Sequence, residues 1–288
     1  MKLSDIHIRD PFVLPYEGKY YMYGTPGEFA WEGAGGFWCF VSEDLENWSE
    51  PIKCFEAPAG FWGTKNFWAP EVHFYNGKFY LFATFCAEGH PRASQILVAD
   101  EPTGPFTVHS CPITPGHWWS LDGTLYVEDG KPYMVFCHEW VQIGTGTVCA
   151  VELKEDLSAP VGEPFVLFDA DAPWVVNDDE RCIDGKHIRV TDGPYLWKNG
   201  DKLSMIWSTF SNKNYAEGVV VSESGKIAGP WKHLDKPMFD KDGGHGMIFE
   251  TFEGELMFTM HKPNNWPNER PHFAKIKPTA DGSFEGVE

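Results

Sequence analysis

One pattern recurs five times along this chain of 288 residues and constrains its fold more than any other feature. A polar residue is followed by a short apolar run, a turn that contains glycine, and a second apolar run. The polar residues that begin the five units are Asp10, Glu71, Asp122, Asp192 and His245. Their spacing of about 50 to 70 residues is typical of the four-stranded blades of a β-propeller with loop insertions.

Each unit has the pattern of a β-hairpin, because two apolar runs flank a short turn such as Glu17-Gly18, Asn76-Gly77 or Asp129-Gly130. Long helical periodicity is absent from the sequence. The sequence therefore predicts an all-β chain, in which residues 1–288 form a single catalytic five-bladed β-propeller of four-stranded antiparallel blades. The first strand of each blade lies beside the axis of a propeller. The five polar residues should then meet in a pocket at one end of the axial channel.

The composition limits the partners and the location that we expect. A net charge of −19 disfavours nucleic acid and anionic membranes by repulsion. Aromatic residues make up 16% of the chain, more than core filling requires, and this excess favours platforms that stack on sugars. The seven cysteines have no CxxC spacing, and no apolar segment follows Met1. We therefore expect a cytoplasmic protein without disulfides that has no membrane partner and whose oligomeric state stays open.

Five motifs occur in propeller order and at propeller spacing. They are Arg9-Asp10-Pro11, Trp68-Ala69-Pro70-Glu71, Leu121-Asp122-Gly123, Asp192-Gly193-Pro194 and Gly244-His245-Gly246. Together they resemble glycoside hydrolase family 43, an arabinofuranosidase- and xylosidase-like family of five-bladed propellers. The resemblance implies that Asp10 is the general base, that Asp122 orients and modulates the acid, and that Asp192 is the general acid. The alternative for each aspartate is a strand-start residue that accepts backbone N–H groups.

Asp192 departs from the family pattern, which usually has Glu-Gly-Pro at this position. An aspartate reaches one methylene less far than a glutamate. Either the sugar binds closer to the fourth blade, or the activity has drifted, or another residue supplies the acid. The possible substitutes are Glu139, Glu180 and Glu217, and none of them lies in a motif.

Five further residues are candidates for binding the substrate. Glu71 replaces the aspartate that the family commonly has, and we expect it to bind a sugar hydroxyl or to contribute to the environment of an axial ion. Trp68 is a stacking candidate, although a buried tryptophan between blades fits equally well. Phe29 and Trp31 lie in a glycine-rich loop that can form a pocket wall, and Arg270 can steer an aspartate or a sugar hydroxyl.

His245 has a separate interpretation. In relatives with Gly-His-Gly, the imidazole commonly lies on the axis near a calcium ion that is otherwise ligated by water. A hard cation among carboxylates favours oxygen ligands, so the resemblance implies a structural axial calcium ion as a possible cofactor. The alternative is a histidine that is hydrogen-bonded inside the channel without any metal.

The predicted function follows from the two carboxylates. Inverting glycosidases hold an acid and a base about 6.5–9.5 Å apart, with room for water between them. The loops 25–36 and 169–189 are long enough to close a pocket, with residues 174 and 178–181 forming a polar lid, which favours exo action. We expect an inverting hydrolase that releases α-L-arabinofuranosyl first, β-D-xylosyl second and β-D-galactofuranosyl third from plant-type oligosaccharides. The alternative is a non-catalytic carbohydrate-binding propeller with a decayed acid position.

Overall fold

The computed structural model describes residues 1–27, 35–176 and 182–287. Within them the chain forms five consecutive antiparallel sheets around a common axis, and each sheet is made from one continuous segment. The predicted five-bladed β-propeller is therefore confirmed. That residues 1–288 are one catalytic domain stays a prediction.

The strands follow one another as expected for blades that are built from hairpins. The first blade contains β1 (Ile8–Tyr16), β2 (Lys19–Pro26), β3 (Gly36–Ser42) and β4 (Ile52–Glu56). The second contains β5 (Lys65–Tyr75), β6 (Lys78–Ala87), β7 (His90–Ala99) and β8 (Thr107–Val108). The third contains β9 (Ser120–Glu128), β10 (Lys131–His138), β11 (Thr147–Leu153) and β12 (Pro160–Asp169).

A short ribbon of β13 (Cys182–Ile183) and β14 (Lys186–His187) precedes the fourth blade. That blade contains β15 (Asp192–Asn199), β16 (Lys202–Ser211), β17 (Asn214–Ser222) and β18 (Trp231–His233). The fifth has three strands, β19 (Gly244–Glu250), β20 (Leu256–Lys262) and β21 (Arg270–Lys275), and a ribbon of β22 (Lys277–Pro278) and β23 (Phe284–Glu285) follows it. The helices are a 3-10 turn (Leu3–Asp5) and α1 (Trp140–Ile143). Within the described residues, neither helix has the length or the apolar character needed to cross a membrane.

Every inner strand contains a β-bulge near its start. At each bulge the first strand advances by three residues while its partner advances by two. The first bulged residue has a left-handed backbone in all five blades: Asp10 (φ 53), Ala69 (φ 44), Asp122 (φ 57), Gly193 (φ 50) and His245 (φ 51). The next residue is always proline or glycine, which suits a position outside the hydrogen-bond ladder.

This register corrects the predicted equivalence of the five polar residues. In the second blade the residue equivalent to Asp10 is Ala69, and Glu71 lies two positions further along the strand. In the fourth blade the equivalent residue is Gly193, and Asp192 comes one position before it. The position of the bulge is set by the left-handed residue and the proline or glycine that follows it, and the polar residue does not define this position.

The bulges also connect the blades. In four blades the backbone N–H of the first bulged residue donates to a side chain on the second strand of the preceding blade. These bonds run from Ala69 to Thr25 Oγ1 (2.7 Å), from Asp122 to Thr84 Oγ1 (2.9 Å), from His245 to Ser208 Oγ (2.6 Å) and from Asp10 to His261 Nδ1 (3.2 Å). Cys137 occupies the corresponding place in the third blade, opposite Leu121. There the Gly193 amide donates instead to Oδ2 of Asp122 (3.0 Å). A ring of five hydrogen bonds therefore runs around the axis.

The aromatic excess of the sequence mostly fills the space between blades. Phe37, Phe55, Phe67 and Phe85 are fully buried between the first two blades and pack ring against ring. Burying aromatic rings of this size contributes much of the stability of such a core. Five of the seven cysteines are buried, as expected for small apolar core residues.

Side chains close the propeller between its last and first blades. Nη1 of Arg9 lies 2.8 Å from Oε1 of Glu269, and Nε of Arg270 donates to the carbonyl of Ser4 (2.9 Å). The amide of Phe252 donates to the hydroxyl of Tyr20 (3.1 Å). These contacts join residues far apart in sequence, and no described strand of one blade comes from the other end of the chain.

The Gly193 position gives a direct test of the ring. A Cβ at Gly193 would lie 2.7 Å from Cδ2 of His245, whereas Gly200 has a similar φ of +60 and no atom within 4 Å. Gly200→Ala should cost about 1–2 kcal/mol of unfolding free energy, because only its left-handed backbone is penalised. Gly193→Ala should cost clearly more, since it also displaces His245. Urea denaturation of both variants measures the difference, and equal losses would contradict the close packing of Gly193 on His245.

Candidate functional site

Two adjoining cavities open at the end of the axis where the bulges lie. The deep cavity of about 100 Å³ is lined by Arg9, Asp10, Thr25, Trp68, Leu121, Asp122, Asp192, Tyr215 and His245. The outer cavity of about 670 Å³ shares Arg9, Trp68, Leu121, Asp192 and Tyr215 with it and adds, among others, Arg92, Glu139, Trp140, Phe210, Trp266 and Glu269. The structure thus brings the three predicted catalytic aspartates together, with Trp68 and His245 beside them.

Asp10 is held as a carboxylate on the floor of the deep cavity. The Thr25 hydroxyl donates to its Oδ2 at 2.5 Å, and Nδ1 of His245 lies 3.2 Å from its Oδ1. Burial alone would raise the pKa of Asp10, but His245, His261 and the Arg9 guanidinium outweigh burial and hold this pKa well below its ordinary value. Asp10 is therefore ionised at neutral pH, as a general base must be.

Asp192 has the opposite electrostatic character. Burial raises its pKa to about 7, and the nearby carboxylates of Asp10 and Glu139 act in the same direction. The Tyr215 hydroxyl donates to its Oδ2 at 3.0 Å, and this hydrogen bond and Arg9 both oppose the increase. A carboxyl group with a pKa near the working pH can carry a proton and give it up, which is the property of a general acid.

Asp122 lines the same deep cavity and interacts electrostatically with both of these groups. It is 4% exposed, and its Oδ2 accepts the Gly193 amide of the inter-blade ring. Burial and the neighbouring Asp192 raise the pKa of Asp122 well above its ordinary value. Since the charge of Asp192 disfavours ionisation of Asp122, these two carboxyl groups do not both ionise easily, and the pair retains a proton at neutral pH.

His245 orients Asp10. Burial lowers the pKa of His245 to about 4, so the imidazole is neutral at neutral pH, and Nδ1 can donate its proton to Oδ1 of Asp10. The buried Nε2 of His245 has no hydrogen-bond partner among the described residues. No group of three histidine, cysteine or acidic residues in the described ranges can hold a metal. The calcium ion that the resemblance implies would take most of its ligands from water, so it stays a prediction, and we assign no chemical step to it.

Two buried ion pairs line the outer cavity and were not predicted from the sequence as site features. Arg9 pairs with Glu269, and Arg92 pairs with Glu139 through Nε (2.7 Å) and Nη2 (2.5 Å). Both glutamates are 3% exposed. The Arg-Asp-Pro motif drew attention to the first arginine, whereas no motif contains Arg92.

Two predicted substrate-binding residues are not brought to the cavities. Glu71 is buried further down the channel, where its Oε2 lies 3.2 Å from Nε2 of His73, because it sits two residues past the bulge. Arg270 donates to the carbonyls of Ser4, Pro267 and Glu269, so its guanidinium is occupied at the blade closure. Phe29 and Trp31, together with Glu180 and most of the predicted lid, lie outside the described residues. Trp174 of that lid packs against Trp207 between blades and is not part of a rim.

The described substitutes for the acid are poorly placed for that role. Both oxygens of Glu139 accept hydrogen bonds from Arg92. Glu217 is fully buried and lines neither cavity, and its Oε2 accepts the Ser208 hydroxyl (2.6 Å) and the Gly246 amide (3.3 Å). Burial raises the pKa of Glu217 to about 8, so this residue is a neutral structural acid behind the inter-blade ring.

The fold and the three aspartates define a class of carbohydrate-active enzyme. Residues 4–284 match the family described as Glycosyl hydrolases family 43, and the chain belongs to that family. A solved structure of an endo-arabinase from Bacteroides thetaiotaomicron is 37% identical, covers 99% of both chains and has a TM-score of 0.89.

The curated relatives are more distant. An extracellular exo-α-(1→5)-L-arabinofuranosidase of Streptomyces avermitilis is 23% identical over 75% of this chain. An extracellular endo-α-(1→5)-L-arabinanase of Bacillus subtilis is 21% identical, covering 68% of this chain and 69% of its own. This chain spans 48% of the length of the Streptomyces relative.

The predicted cytoplasmic location is wrong on this comparison. Both of these relatives are extracellular by name. The prediction depended partly on cysteine spacing, and five of the seven cysteines are buried core residues. Buried thiols of this kind fill space and carry no information about the compartment.

The Tyr215 hydrogen bond gives a test of the electrostatics that does not depend on activity. Since this bond lowers the pKa of Asp192, Tyr215→Phe should raise that pKa above its starting value of about 7, by about one unit. Carbon NMR of labelled aspartate carboxyl groups, assigned with Asp192→Asn, follows the titration. This description of the site would be contradicted if Asp192 titrated near the ordinary pKa of an aspartate, or if its pKa fell in Tyr215→Phe.

Proposed function

We propose that the chain is an inverting, exo-acting glycoside hydrolase that releases α-L-arabinofuranosyl units from the non-reducing ends of neutral oligosaccharides. One observation carries the proposal. Asp192 lines both cavities, whereas Asp10 and Asp122 line only the deep one. An acid at the boundary is placed to protonate the oxygen of a bond between a sugar in the deep cavity and a leaving group in the outer one.

The chemistry uses the two carboxyl groups in opposite roles. Asp10 accepts a proton from water as the water oxygen bonds to the anomeric carbon. The bond from that carbon to the leaving oxygen breaks, and the proton of Asp192 moves to this oxygen. The products are a free sugar and an alcohol, and a proton returns from Asp10 to solvent while Asp192 takes one up. Asp122 helps to keep a proton on this pair of carboxyl groups, because ionising both Asp122 and Asp192 is unfavourable.

The size of the deep cavity supports exo action on a single sugar. A space of about 100 Å³ suits one ring and not a stretch of polysaccharide. Similarity to enzymes named for arabinose substrates supports arabinofuranosyl as the first choice, with β-D-xylosyl second and β-D-galactofuranosyl third. Since the 37% identical structure is that of an endo-arabinase, products cut from the middle of debranched arabinan would refute the exo proposal.

The role of Asp192 is tested by changing the leaving group. Asp192→Asn should reduce kcat/KM on arabinobiose by about 10²–10⁴-fold, the usual contribution of general acid catalysis. Aryl arabinofuranosides with acidic phenols should lose much less, because their leaving groups need little protonation. The matched control is Asp235→Asn, an exposed aspartate outside both cavities.

The outcome also distinguishes the rival function. Equal losses on both substrates would mean that Asp192 is not the acid. Tight calorimetric binding of arabino-oligosaccharides by the unmodified chain, with no turnover of any glycoside, would establish a non-catalytic carbohydrate-binding propeller instead.

A further inference from the structure

We infer that Arg92 is a specificity-determining residue that donates hydrogen bonds to hydroxyl groups of the sugar on the leaving-group side. This inference rests on the proposed function. Arg92 lies near the start of the third strand of the second blade, β7, and its guanidinium reaches the wall of the outer cavity.

The guanidinium of Arg92 is fixed on three sides. Its carbon lies 5.1 Å from the centre of the Trp68 ring and 4.8 Å from that of Trp119. Nε and Nη2 both donate to the buried carboxylate of Glu139. Ring contacts and a two-point ion pair together leave this planar group little freedom, so it is preorganised before any ligand arrives.

One amino group of Arg92 remains available. Among the described residues Nη1 makes no hydrogen bond, while the other two nitrogens of the guanidinium are occupied by Glu139. Nη1 is also not among the buried polar atoms that lack a partner, and the side chain is 16% exposed. Its two N–H donors therefore face the space of the outer cavity. A donor held in this way adds affinity when a ligand oxygen replaces water.

The position of Arg92 decides which sugar it contacts. It lines the outer cavity and not the deep one. Asp192, at the boundary, marks the bond that breaks, so a ligand beside Arg92 lies on the far side of that bond. The sugar in question is consequently the one that leaves.

The charges around Arg92 favour a neutral sugar over a uronic acid. Glu139 already balances the charge of the guanidinium. The other arginine of the outer cavity, Arg9, is balanced in the same way by Glu269, and the chain as a whole carries a net charge of −19. A carboxylate on the leaving sugar would meet repulsion, whereas a hydroxyl oxygen can accept the two free N–H groups.

The test compares two substrates that have alkyl leaving groups and differ in the leaving sugar. They are α-1,5-arabinobiose and methyl α-L-arabinofuranoside. The measured quantity is kcat/KM for arabinobiose divided by kcat/KM for the methyl glycoside. Arg92→Met with Glu139→Met removes both charges together, which avoids leaving a buried carboxylate alone. The ratio should fall about 10- to 100-fold, as expected for loss of hydrogen bonds from a charged donor.

Two further variants complete the design. Arg92→Lys keeps a cation for Glu139 but lacks the planar fork, so it should lower the ratio in the same direction even if the double variant does not fold. The control, Lys131→Met, breaks an exposed ion pair with Glu152 (3.6 Å) and should leave the ratio unchanged. A ratio that stays at the unmodified value in both arginine variants would overturn the inference.

Calorimetry separates this inference from the proposed function. If the unmodified chain hydrolyses neither substrate, the proposed function fails, and the affinity for arabinobiose relative to methyl arabinofuranoside becomes the readout. A preference for arabinobiose that Arg92→Lys abolishes would still support the contact, and one that Arg92→Lys leaves intact would refute it. Stronger binding of digalacturonate than of arabinobiose would contradict the neutral class of ligand.

Discussion

The hydrogen bond from each bulged amide to the neighbouring blade is the interaction on which the pocket depends. A left-handed residue near the start of every inner strand turns its N–H group out of its own sheet. A side chain of the preceding blade accepts it, or Asp122 does so in the fourth blade. The same bulges carry Asp10, Asp122 and His245. The contacts that hold the blades in register therefore also fix the positions of these three side chains in the cavity.

This construction accounts for the difference in pKa between Asp10 and Asp192, the two carboxyl groups that we propose as base and acid. Asp10 lies at a bulge, where Thr25, His245 and Arg9 favour its charged form. Asp192 lies one residue before a bulge, where burial and neighbouring carboxylates favour the protonated form. An aspartate in place of the usual glutamate is compatible with this arrangement, because Asp192 already lines both cavities. Asp192 therefore still has the surroundings that a general acid needs, which argues against the alternative of a non-catalytic propeller with a decayed acid position.

Much of the fold and part of the site could be predicted from the sequence. The glycine turns and the five repeated motifs indicate the blades, because hairpin geometry is local. The polar residues do not reveal which residue of each blade lies at the bulge, because the bulge is set by a following proline or glycine. Glu71 shows this, since it lies two positions past the bulge of its strand. Glu139 was considered only as a substitute acid, and its ion pair with Arg92 escaped prediction because the two residues meet only when the second and third blades pack together. Arg270 was predicted to bind substrate, but its guanidinium donates to the carbonyl of Ser4 where the last blade meets the first.

The most direct test of the account is the anomeric configuration of the first sugar released, followed by proton NMR before mutarotation. With Asp10 activating water across from Asp192, an α-L-arabinofuranoside should give β-L-arabinofuranose first. Early accumulation of the α anomer would show that a protein carboxylate had attacked the sugar directly. The assignment of Asp10 as a base and of Asp192 as its opposing acid would then be wrong.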